Sequence, residues 1–108
     1  MGLFTPKPYR TDALTAAEKA AVRFTLDLAV NGAKGAAEKR ALQTAQVDFN
    51  SGALSRGSLE AVLENLDTML LGVNKLGESS VLCKGLRMRG VDAPKDIDRA
   101  IEKLKRML

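Results

Sequence analysis

Histidine and tryptophan are absent from this 108-residue chain, cysteine occurs once, and the aromatic residues are three phenylalanines and one tyrosine. Each shortage excludes some chemistry. Without histidine the chain lacks the usual general base at neutral pH and the commonest metal ligand. The lone Cys83 supplies neither an internal disulfide nor a thiolate metal cluster, so stability owes nothing to oxidation and a cytoplasmic location is expected. No apolar run approaches the roughly 18 residues that a membrane span needs, and the opening residues Met1–Pro6 carry no charged stretch followed by the apolar run of a signal peptide. A soluble protein with no membrane contact is expected.

The remaining candidates for chemistry are few. Glu60, Glu64 and Asp67 stand one helical turn apart, but opposite a leucine stripe, where carboxylates ordinarily form a solvated helix face. Cys83 lies among leucines in a short helical stretch, the setting of a small buried hydrophobe, although Lys84 and Arg87 are close in sequence. The glycines are scattered as helix punctuation and form neither a P-loop nor a dinucleotide fingerprint. A non-enzymatic protein is expected, with no catalytic residue, cofactor, metal or small-molecule substrate.

What is present favours helix. Alanine and leucine are abundant, β-branched and aromatic residues are sparse, and no alternating run survives for a sheet. A chain of this length builds one core, burying roughly 65% of its unfolded surface. The expected architecture is an all-α bundle of four main helices and one short helix over residues 15–108, preceded by an extended arm over 1–14.

The clearest helix runs from Ser58 to Leu76, with the segment Ser55-Arg56-Gly57-Ser58 read as the turn that delivers its cap. Leu59, Val62, Leu63, Leu66, Met69, Leu70, Val73 and Leu76 fall within an arc about 140° wide, facing the core. Leu71 is the exception, apolar on the polar side beside Gly72, and is either an ordinary lone surface leucine or the mark of a contact with a second chain. The first helix opens at Thr15-Ala16-Ala17-Glu18, a capping box, and is expected to end at a left-handed Asn31-Gly32 stop. Ala17, Ala20, Ala21, Phe24 and Leu28 make one apolar face, and Val22, Leu26, Ala29 and Val30 a second. A helix apolar on two sides is either the centre of the domain or half of an oligomer interface.

A third helix, from about Ala36 to Asn50, has the narrow stripe Ala41, Leu42, Ala45 and Phe49. The stripe loses register after Leu76, which breaks the chain at Gly77-Glu78-Ser79-Ser80 and restarts a short helix to about Arg89. Gly90 closes that helix, and Asp92-Ala93-Pro94 opens the last one. The stripe Ile97, Ala100, Ile101, Leu104, Met107, Leu108 predicts a docked C-terminus.

Two surfaces are candidates for function. Two prolines exclude the arm from helix, yet it holds Leu3, Phe4 and Tyr9; it folds back on its own bundle, docks on a neighbouring subunit or partner, or is simply disordered. With the second face of the first helix, it suggests a protein-interaction module that forms homo-oligomers. The second surface is basic. Net charge is +4, and Lys84, Arg87, Arg89, Lys103, Lys105 and Arg106 cluster in the C-terminal quarter, a candidate site for charge-driven binding of DNA or RNA. Asp92, Asp96 and Asp98 at the start of the last helix oppose a helix-turn-helix reading of that region.

Overall fold

The structure is a computed structural model, and describes residues 8–108. Five helices carry the fold: α1 (Ala16–Gly32), α2 (Ala36–Ser51), α3 (Arg56–Leu76), α4 (Val81–Met88) and α5 (Lys95–Lys105). Two short strands, β1 (Tyr9–Arg10) and β2 (Ala53–Leu54), pair antiparallel with Tyr9 opposite Leu54 and Arg10 opposite Ala53. The four longer helices and one short helix are those the periodicity predicts.

Local chemistry sets the boundaries. At α1 the capping box is complete: the Glu18 backbone N–H donates to Thr15 Oγ1 at 3.1 Å, and the Thr15 N–H donates to Glu18 Oε1 at 2.8 Å. Its far end differs from expectation, because Gly32 stays helical and the chain leaves through an extended Ala33. α2 ends at Gly52, whose φ of 90° requires glycine. α3 begins before the expected Ser58, since Ser55 is the cap and accepts from the Ser58 N–H at 3.1 Å. Ser58 is instead buried in the first turn, and its hydroxyl donates to Asp48 Oδ2 at 2.6 Å, tying the end of α2 to the start of α3. Ser80 caps α4.

α1 is the central helix. It packs against α2, α3, α4 and α5, while α3 also meets α2, α4 and α5. Two hydrogen bonds join the antiparallel α1 and α2: Arg23 Nε donates to Asn50 Oδ1 and Gln46 Nε2 donates to Asp27 Oδ1. The core is aliphatic: Val22, Leu26, Leu54, Leu59, Val62, Leu66, Leu86, Ile97 and Leu104 are all fully enclosed, with Phe49 as its one buried aromatic ring among the described residues. Three expected core positions are not in it. Ala41, Leu76 and Leu108 are exposed. Leu108 lies beyond the end of α5, so the C-terminus is not docked as its stripe suggests.

Candidate interaction surface

From Tyr9 onward the arm folds back on its own bundle. The Thr11 N–H donates to the Gly52 carbonyl at 3.1 Å, continuing the strand pair, and Thr11 and Leu14 are buried. Tyr9 is half-buried against the core and is no free anchor for a neighbour. Leu3 and Phe4 lie outside the described residues.

The second face of α1 is likewise occupied from within. Val22 and Leu26 are fully buried, and Ala29 and Val30 are half-buried against the same core. The expected place of Val22 and Leu26 in an oligomer interface is corrected, since helices of the same chain enclose them; Ala29 lines a groove at the surface.

The basic cluster is partly consumed by internal structure. Lys103 Nζ donates to Glu18 Oε1 at 2.7 Å and to the Ala13 carbonyl at 3.1 Å, which removes it from any phosphate-binding surface. Glu18 is almost fully enclosed; burial pushes its carboxyl pKa up, but Lys103 and the Thr15 N–H outweigh that and hold it below its ordinary value. Arg106 pairs with Glu102, and Arg87 donates to the Glu78 carbonyl. The Arg89 guanidinium lies 4.5 Å from the centre of the Phe24 ring and donates to the Gly85 carbonyl. Lys84 and Lys105 are exposed and make no ion pair among the described residues. α5 packs on α1 and α3 far more than on α4, unlike the second helix of a helix-turn-helix pair.

The surface the sequence pattern only hinted at lies where α1, α3 and α4 meet. Thr25, Leu28 and Ala29 of α1, Asn65, Thr68, Met69 and Gly72 of α3, and Leu82 of α4 line an open groove of about 310 Å³. At Gly72 a Cβ would sit 3.5 Å from Leu82 Cδ1, an ordinary contact distance. One turn further along α4, Gly85 rests on Phe24, and a Cβ there would come within 2.8 Å of the ring's Cζ. α4 is thus seated on α1 through the missing side chain of Gly85.

The polar residues of the groove do not make it polar. Thr25 Oγ1 donates to the Ala21 carbonyl, Asn65 Nδ2 to that of Ala61, and Thr68 Oγ1 to that of Glu64. Each spends one donor on its own helix, and Asn65 keeps a second N–H and its carbonyl oxygen. The rest of the lining, Leu28, Ala29, Met69, Gly72 and Leu82, suits apolar side chains. Leu28 lines the groove, and the helices that form it carry four more exposed apolar side chains: Leu28, Leu71, Leu76, Val81 and Met88 are exposed by 38%, 71%, 59%, 86% and 85%. Leu71 and Leu76 flank Thr68 and Gly72 at helical spacing, and Val81 and Met88 share the outer face of α4, two turns apart. Ala29 in the lining and Leu71 beside it are the residues here singled out by the sequence; Val81 and Met88 gave no signal because an eight-residue helix shows too few turns to separate a buried stripe from an exposed one.

Elsewhere the surface offers little chemistry. The cleft between α1 and α2, lined by Arg23, Asp27, Gln46, Phe49 and Asn50, holds polar groups that pair with each other. Cys83 is buried, and among the described residues no group of His, Cys, Asp or Glu side chains has metal-binding geometry. No helix is long and apolar enough to cross a membrane. No family model matches the chain, and no curated protein or solved structure matches it either.

Proposed function

We propose that this chain is a non-enzymatic helical protein–protein interaction module that associates with itself, using the α1/α3/α4 face as its contact surface. The observation that carries the reading is the open, mainly apolar groove where α1, α3 and α4 meet, with Leu28 in its lining and the exposed Leu71, Leu76, Val81 and Met88 on the two helices α3 and α4 that help form it. Scattered single leucines need no explanation, but a clustered apolar face on a small domain marks a docking site. From Tyr9 onward the arm, like Val22 and Leu26 of α1, packs within the chain, and the basic residues of the C-terminal quarter are partly spent on internal contacts, which leaves this face as the stronger candidate among the described residues.

Sedimentation across a wide concentration range tests the proposal. The wild-type chain is expected to shift from monomer mass to a larger species, and Leu71→Glu with Met88→Glu to remain monomeric while keeping its helical circular dichroism. Both side chains are exposed, so the substitutions do not disturb the core. Losing the burial of one such side chain weakens association by about tenfold or more. A wild-type chain that stays monomeric at the highest concentration overturns the self-association.

A further inference from the structure

Resting on that reading, we infer that the partner is a second copy related by a two-fold axis, with α4 of each protomer lying across α3 of the other. The charges beside the apolar face carry the argument. Along the exposed flank of α3 run Glu60, Glu64 and Asp67, with Asp67 one turn before Leu71; the base Lys75 lies a turn beyond Leu71. On α4, Lys84 stands between Val81 and Met88 at helical spacing, with Arg87 beside it. One apolar surface thus has an acidic border on one helix and a basic border on another.

Among the described residues, Glu64, Asp67 and Lys84 make no ion pair within the chain. A partner for this face must present base to α3 and acid to α4. The chain itself supplies both, on the same surface. In a two-fold interface residue i meets j while j meets i, so one rotation places Lys84 and Arg87 of each protomer against Glu64 and Asp67 of the other and brings the two apolar grooves face to face. Like-charge juxtaposition disfavours the arrangement in which α3 meets α3.

Two charge-reversed chains test this. One carries Glu64→Lys with Asp67→Lys, making both borders basic; the other carries Lys84→Glu with Arg87→Glu, making both acidic. Each alone is expected to dimerise at least about tenfold more weakly than wild type. Mixed in equal amounts they should form a dimer containing one of each, read by native mass spectrometry from their different masses. The wild-type dimer should also weaken as salt rises.

If wild type dimerises but the reversed chains do so equally well alone, or fail to pair when mixed, the two-fold charge pairing is overturned. The apolar contact face then stands or falls separately, on Leu71→Glu with Met88→Glu. A series of masses beyond the dimer overturns the closed two-fold arrangement. A monomeric wild type overturns the self-association and this inference together. Should a reversed chain lose its helical signal, the neutral pairs Glu64→Gln with Asp67→Asn and Lys84→Gln with Arg87→Gln replace it, with a smaller weakening expected in each.

Discussion

At the scale of single residues, Glu18 has the strongest claim on stability. One carboxylate completes the α1 capping box, receives Lys103 from α5, and sits almost fully enclosed. Its pKa in the fold is depressed, so the folded state favours the charged form. That contribution is present above the ordinary carboxylate range and is lost as pH falls through the depressed folded value. Glu18→Gln is expected to reduce stability at neutral pH by about 1–3 kcal/mol and to flatten the acid side of the stability profile, measured by urea unfolding at several pH values. Lys103→Met strands the buried carboxylate instead, with a loss of about 3 kcal/mol or more, and the remaining stability should then improve as acid neutralises Glu18. The Gly85–Phe24 contact is a second such point. A methyl group at Gly85 meets a ring held under Arg89, so overpacking of about 1–3 kcal/mol opposes a helix-propensity gain of about 1 kcal/mol. Thermal unfolding should show Gly85→Ala destabilising in the wild-type background and stabilising once Phe24→Leu has made room.

At the scale of elements, α4 is the lightest attachment in the bundle. Eight residues long, it turns Cys83 and Leu86 fully into the core and leaves Val81 and Met88 in solvent. Its amides are expected to exchange with solvent faster than those of α3, and Leu86→Ala, at a loss of about 2–4 kcal/mol, should speed α4 exchange before the rest. Element identity was legible in the sequence because caps and glycines punctuate it: Thr15 with Glu18, the stop at Gly52 and the restart after Gly77 stand where the residues imply. Starts were less legible where two caps compete. Ser55 and Ser58 are equally good N-cap residues, and what chooses between them is Asp48, a partner from another helix. The face of a helix is legible only when it has one apolar side. Leu71 stood out against a polar background, whereas Val22 and Leu26 looked available because nothing local records that four other helices pack around α1. Lys103 misled for the same reason, since its carboxylate lies 85 residues away.

At the scale of the whole molecule, self-association at the α1/α3/α4 face makes stability depend on concentration. A partner that binds only the folded state raises the apparent melting temperature by mass action. The melting temperature of wild type is expected to climb as protein concentration rises, while that of Leu71→Glu with Met88→Glu stays constant; differential scanning fluorimetry over a hundredfold range reads the difference. Dimerisation should also slow the opening of α4, which lies in the contact. Here the single cysteine acquires a use that its chemistry alone did not suggest. Cys83 is shut beneath α4 with no second thiol to confuse the signal, so the rate at which a thiol-reactive dye labels it is a clock for the lifting of that helix, and dilution should make the clock run faster.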